Sequence, residues 1–414
     1  MAPRAATGPA HVAVVSFLAA RAAPTGGFWI ALAGGVALAR VAERLGARLG
    51  FGASAAAMLE TVAIIGPARF GVPLTQAVSA PILGRLHALG VGFWPQLLAC
   101  ATVRLLHNAA TTAFFIWVIT GGLDAYAGTY DALGRRIGIE VGTADALALT
   151  LLGLLAWAAF ASTVQVLVYR RGLRAWGEAV SERQHREEAP APRWQPNVAF
   201  SDTNRCHPGR FDPRAVAAAA LVTFVLLLSS TAWVVLAAVA GWLGLVWLLS
   251  RAEHDPVPAG LLFATVLAAG AFAFALGGGL GLDTALRRAA RAALLVLVAT
   301  WLRAAARAAG LREVSRRVLG RLRRIPSAPE AAQVLDAIAS EGRLAAAGRA
   351  LTTRLAQADK RPAALLDAVL AWVIREAAAN RPPAPAMPPR LRVSPLDWAL
   401  MGSAALPSLP LLLA

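Results

Sequence analysis

Between Ala215 and Leu249 the chain runs for thirty-five residues without one charged side chain. At about 1.5 Å per residue, a single helix of that length would overrun the roughly 30 Å hydrocarbon core of a bilayer. The spacing predicts two apolar helices folded back at Ser229-Ser230-Thr231, with one strongly tilted helix as the alternative. Composition points the same way, since 57% of the 414 residues are apolar and only 15% are charged, against about 25% in soluble domains. The expected class is an all-α, polytopic integral protein of the cell membrane. A soluble single-core enzyme and a disordered chain are excluded. So is a disulfide scaffold, because Cys100 and Cys206 are the only cysteines.

Other apolar segments are Phe28 to Ala39, Phe51 to Ile65, Phe70 to Leu83, Trp94 to Ile119 and Ala144 to Tyr169 in the first half. The second half adds Pro258 to Leu282, residues 289–302 and Leu396 to Leu413, which brings the expected number of spans to about ten. Pro73, Gln76 and Pro81 make 70–83 a candidate for a broken or re-entrant piece, and His11 to Ala20 reads as an uncleaved first helix or surface segment. The chain therefore divides into a membrane module at 1–170, a cytoplasmic linker at 171–214 carrying Pro190, Pro192 and Pro196, membrane helices at 215–302, a basic region at 303–395 and a final span at 396–414.

The basic region holds seventeen Lys or Arg against seven acids, which assigns it to the cytoplasmic side. Leu311 to Leu322, Ala331 to Ile338, Leu344 to Leu355 and Leu365 to Ile374 carry apolar residues at helical spacing, so amphipathic helices under the membrane are expected there. The loop 121–144, with Asp124, Asp131 and Glu140, is expected outside, at the same end as Arg287, Arg288 and Arg291. Loop bias accounts for the net charge of +17, so the partner it implies is the lipid bilayer and not nucleic acid.

Some chemistry is ruled out directly. A Walker A loop needs a lysine after glycine, and Lys360, the sole lysine, follows Asp359, so ATP hydrolysis would belong to a partner subunit. Cys206-His207 and His254-Asp255 are isolated loop pairs, and no metal or cofactor is expected. The polar group that stands out is Arg104, His107, Asn108 and Thr111, spaced i, i+3, i+4, i+7 on one helical face near the middle of a span. A charge at that depth must face protein or water, and Glu60 is the nearest counter-charge by depth. A Glu60–Arg104 pair is expected, either holding two helices in register or lining a substrate or proton site. An intramembrane enzyme working through His107 is the remaining, weakest alternative.

In the second half, Phe211-Asp212-Pro213-Arg214 ahead of the apolar pair resembles the entry of the transmembrane T component of energy-coupling-factor transporters. The succession that follows is similar too: Asp283-Thr284-Ala285-Leu286-Arg287 opening a span, Gly310-Leu311-Arg312-Glu313-Val314 opening a basic helical region, and Leu396-Asp397-Trp398 leading the last segment. In place of the family's Ala-Arg-Gly or Ala-Arg-Ser coupling signature stands Gly348-Arg349-Ala350. The resemblance covers about residues 205–414. It implies a transporter subunit without enzymatic activity of its own, whose cytoplasmic coupling helices meet partner ATPase subunits and act on a substrate-binding membrane subunit. Arg312, Arg316, Arg317, Arg321, Arg323 and Arg324 are then expected on the docking surface, with positive-inside anchoring as the plainer reading of each. Residues 1–170 would suit a fused substrate-binding or accessory module, and a non-transporting membrane anchor or assembly scaffold is the alternative for the whole.

Overall fold

The computed structural model describes residues 2–22, 26–67, 72–186, 210–322, 324–338, 341–359, 361–379 and 393–409. All regular elements among the described residues are helical. The first half contributes α1 (Ala2–Ala22), α2 (Gly27–Leu45), α3 (Ala47–Ile65), α4 (Val72–Ala88), α5 (Phe93–Phe114), α6 (Leu123–Arg136) and α7 (Thr143–Arg186), with a π-helical turn at Phe115–Thr120 prolonging α5. The second contributes α8 (Pro213–Ser229), α9 (Trp233–Leu249), α10 (Pro256–Gly277), α11 (Leu282–Arg321), α12 (Ala328–Ala337), α13 (Glu341–Gln357), α14 (Pro362–Ala379) and α15 (Pro395–Ser403).

Among the described residues five helical stretches are long and apolar enough to cross a membrane: Ala47–Ile65, Phe93–Thr120, Thr143–Ala179, Pro256–Gly277 and Leu282–Arg321. The uncharged run folds as two helices, α8 ending at Ser229 and α9 beginning at Trp233, each 17 residues long. Asp212 caps α8 by accepting the Arg214 N–H, and Pro213 fills the first helical position, where an N–H would lack a helical partner anyway.

Elsewhere local chemistry overrides the sequence expectation. The 171–214 linker begins late, because α7 stays helical to Arg186; Leu173 and Trp176 join a core, and Gly172 lets α7 approach Val36 and Leu370. Pro190, Pro192 and Pro196 of that linker lie outside the described residues. The 70–83 piece is not broken among the described residues, since α4 runs without interruption from Val72 with Pro81 inside it. The 396–414 segment does not make a continuous span. Its helix α15 stops after nine residues, under half of what a bilayer needs, and a 3₁₀ turn at Leu406–Ser408 with Pro407 follows. Finally, α1 is not a surface segment, as Val12 to Val15 and Phe17 are wholly buried.

Two cores form. One packs α8 and α9 with α11 and α15. The other unites α1 to α5 and α7 with α12, α13 and α14. At its centre α2 has no exposed side chain from Ile30 to Ala42, the burial expected of a helix apolar on all sides. The helices of the basic region are thus not free amphipaths under a membrane. Leu335, Ile338, Leu344, Leu351, Val369 and Val373 turn their stripes into the core that holds α1 and α2.

Small residues permit the closest approaches in this second core. A Cβ on Gly8 of α1 would lie 2.2 Å from the Ala377 carbonyl oxygen of α14. Gly8→Ala should therefore destabilise the protein by about 1–3 kcal/mol through overpacking. Gly153→Ala on α7, where nothing lies within 4 Å, should be neutral or stabilising. Thermal unfolding of the purified chain separates the two, and equal losses would contradict the α1–α14 contact.

Candidate functional site

Three helices of the first half, α4, α5 and α7, meet along a polar seam. Gln165 and Tyr169 stand one turn apart on α7, as do Cys100 and Arg104 on α5. Arg104, 5% exposed, donates from Nη2 to Gln165 Oε1 at 2.7 Å, and Cys100 Sγ approaches the same oxygen at 3.2 Å. Gln165 Nε2 donates to Ser79 Oγ of α4 at 2.6 Å, and one turn on, the Tyr169 hydroxyl donates to Gln76 Oε1 at 3.0 Å. Gly35 of α2 makes room for this hydroxyl, since a Cβ there would lie 1.7 Å from it.

The expected Glu60–Arg104 pair does not form. Helix α4 packs against both α3 and α5 and so stands between the two charges, and equal depth is not proximity. Glu60 Oε2 instead lies 3.3 Å from Arg312 Nε. The predicted face also turns partly outward: His107 and Asn108 are half-buried, and exposed Thr111 donates to the His107 carbonyl at 2.8 Å. Gln76, Ser79, Ser162, Gln165 and Tyr169 were missed. Ser162, Gln165 and Tyr169 at i, i+3, i+7 within an apolar span were the available signal.

A second site gathers the fragments of the second half. The backbone N–H of Asp212 donates to Asp397 Oδ1 at 2.7 Å, and Asp397, 1% exposed, caps α15 by accepting from Ser394 N at 2.6 Å. Arg214 closes on Asp212 through Nε at 3.0 Å and Nη2 at 2.9 Å. Burial pushes the Asp212 carboxyl up, but the Arg214 contacts outweigh it and hold the carboxyl below its ordinary value. Gly310 meets Pro213 so closely that a Cβ would lie 2.6 Å from the proline ring. Buried Glu313 accepts from Arg316 at 2.7 and 2.8 Å and from Arg317 at 2.6 Å. The fragments around 212, 310 and 397, far apart in sequence, thus converge. At the other end of the helices, Asp283 accepts from Trp233 Nε1 at 2.6 Å and pairs at 2.7 Å with Arg287, whose guanidinium lies 6.0 Å from the Trp233 ring.

The expected docking arginines divide. Arg312 donates to the last carbonyls of α12, at Leu335 and, at 2.8 Å, Ile338, while facing Glu60, so it ties α3, α11 and α12 together. Arg316 and Arg317 are occupied by Glu313, and Arg316 lies 3.8 Å from Asp336. All three are thus engaged within the chain, Arg312 because packing of α12 on α3 brings a carboxylate and helix-end carbonyls to it, Arg316 and Arg317 because Glu313 lies one turn before them on α11. Arg321 and Arg324 are exposed and form no ion pair among the described residues; Arg323 lies outside those residues.

Between the two sites α11 breaks at Arg307, whose φ of 61° and ψ of 164° belong to a region that L residues avoid, at a cost of about 1–3 kcal/mol. Arg303 braces the break, donating to Ile64 O of α3 and to Glu253, each at 2.7 Å. Among the described residues no three His, Cys, Asp or Glu side chains cluster as a metal site would require. Compared with protein families, curated proteins and solved structures, the chain matches none.

Double-mutant cycles on folded yield and melting temperature should show coupling of about 0.5–3 kcal/mol between Glu60→Gln and Arg312→Gln, and additivity between Glu60→Gln and Arg104→Gln. The reverse pattern would restore the depth-based pairing. Asp212→Asn, which keeps a capping residue, isolates the charge. Because the folded carboxyl titrates below its unfolded value of about 3.9, its stabilisation is complete above that pH and disappears as pH falls through the folded value. The variant should melt lower than wild type at neutral pH and converge with it in acid; a gap that does not narrow at all as pH falls below the ordinary carboxylate range would exclude the charge as its origin.

Proposed function

We propose that this chain is a multi-pass cell-membrane subunit of an energy-coupling-factor-like transporter. Its second half scaffolds transport and receives partner ATPase subunits, and its first half is the module on which that motion acts. The observation carrying this reading is the seat of α1 to α3 on α12 to α14. Helices resembling the coupling region hold the first half on their apolar side, where a separate substrate-binding membrane subunit would otherwise sit. Supporting it, the Asp-Pro-Arg entry, the Gly310–Glu313 stretch and Asp397 meet at the joint where α11 passes into the basic region. The membrane assignment is supported by the five long apolar helices.

Within this reading the docking surface shrinks to the turn between α11 and α12, where Arg321 and Arg324 stand exposed beside Val318, Leu322 and Ile325, each more than 40% exposed. The second reading, a non-transporting anchor or scaffold, draws on the occupation of Arg312, Arg316 and Arg317 inside the chain.

Co-purification with ATPase subunits from the native membrane decides between them. Arg321→Glu with Arg324→Glu should remove the ATPases while leaving yield and melting temperature unchanged, because charge complementarity specifies such contacts. Arg316→Glu should instead lower stability, since it sets two carboxylates against each other at Glu313. A wild-type chain that brings down no ATPase overturns the transporter reading and leaves the scaffold.

A further inference from the structure

We propose that the α4–α5–α7 seam binds a small water-soluble molecule through its carboxylate, held by Arg104 and Asn108 of α5. This deepens the transporter reading by naming the substrate class of its first half, and it rests on that reading only for what becomes of the bound molecule.

The first ground is an imbalance of charge. Arg104 is buried within a candidate span, yet its guanidinium makes one hydrogen bond, to the neutral oxygen of Gln165, and its Nε is buried without a partner. No carboxylate pairs with it among the described residues. Arg303 and Arg312, by contrast, face Glu253 and Glu60. An ion buried without a counter-charge is far costlier than a paired one, and in a membrane helix such a group marks a binding or transport path.

The second ground is an excess of donors. Asn108 stands one turn from Arg104 on the same helix, and its Nδ2 is also buried and unbonded. Arg104 Nε and Asn108 Nδ2 are thus two buried hydrogen-bond donors without acceptors, one turn apart on α5, and each is left at the cost of an unmade bond. One ligand group that supplies acceptors satisfies both.

The third ground is stoichiometric. The seam holds a single permanently charged side chain, so the group that balances it carries one negative charge. A planar carboxylate fits the guanidinium fork and brings two acceptor oxygens. A phosphate monoester, at about −1.5 to −2, would leave excess negative charge in the protein.

The test uses the full purified chain in lipid nanodiscs, without ATPase subunits, and follows thermal unfolding in the presence of propionate or benzoate. Propionamide and benzamide, of like shape without the charge, and sodium chloride at matched ionic strength are the comparisons. Propionate or benzoate should raise the melting temperature with increasing concentration, while the amides and chloride should not. Arg104→Gln should abolish the effect and Arg104→Lys should retain part of it. Asn108→Ala should weaken apparent affinity by about two- to tenfold, the loss of one hydrogen bond, and it keeps the proposal testable should Arg104→Gln fail to fold. Equal protection by the amides or by chloride, no protection by either carboxylate, or affinities unchanged in all the variants would overturn it. Protection by oleate alone would do the same, by assigning the carboxylate to lipid. Carboxylate binding by a chain that brings down no ATPase would overturn the transporter reading and leave this site, and the converse result would remove the site and leave that reading.

Discussion

Everything in the molecule follows from the need to cover α1 and α2. Neither has a polar face wide enough to meet water, and α2 presents thirteen consecutive buried residues from Ile30 to Ala42. Such helices are stable only when enclosed, and the enclosure here is shared between sequence-distant parts: α3, α4 and α7 on some sides, α12 to α14 on others. The amphipathic stripes of the basic region, which taken alone would be expected to rest on lipid, are consumed in this enclosure. Once they are, the two halves are one folded unit.

Charge then fixes the register of that unit. At the α11 joint, Arg303 reaches the C-terminal carbonyl of α3 and Glu253 together, while Arg312 joins Glu60 to the end of α12. Each clamp puts a guanidinium, with several donors in one plane, where a carboxylate and a helix-end carbonyl are both to hand. At the opposite end Thr129 of α6 donates to Phe274 O at 3.0 Å, and Arg288 lies against Gly121. The acidic 121–142 stretch and the α10–α11 turn therefore share one end, about 30 Å of α11 away from the Arg303 joint by helical rise.

How much of this was legible in the sequence depends on whether the signal is local. The fold at Ser229 to Thr231 was readable because bilayer thickness bounds helix length, and the capping of α8 because Asp-Pro at a helix entry is short-range chemistry. Partnerships were not. Glu60 and Arg104 share a depth but are separated by α4, and no periodicity reveals which helix stands between two others. The six arginines of 312–324 looked alike as positive-inside charges, yet Arg312 proved to be a clamp, because Glu60 and the end of α12 are brought to it only in three dimensions, whereas the pairs of Glu313 with Arg316 and Arg317 follow from i+3 and i+4 spacing on one helix. Arg104 was found from its depth, whereas Gln165, its actual partner, was passed over because a neutral amide in an apolar run carries no charge to announce it.

The seam and the basic region are closer neighbours than their separation in sequence implies. Gln165, which holds Arg104, is seven residues before Gly172 on α7, two helical turns. Between them Tyr169 fits against Gly35 of α2, and Gly172 itself is wedged against Val36 of α2 and Leu370 of α14. Glycine at 35 and 172 removes the side-chain cushion that would let α7 shift without displacing its neighbours. A rotation or slide of α7 that altered the bond between Arg104 and Gln165 would have to be accommodated at α2 and α14, since close-packed interfaces rearrange between discrete arrangements and do not deform smoothly. Because α14 shares its core with α12 and α13, the polar seam is mechanically continuous with the basic helices through contacts on a single face of α7.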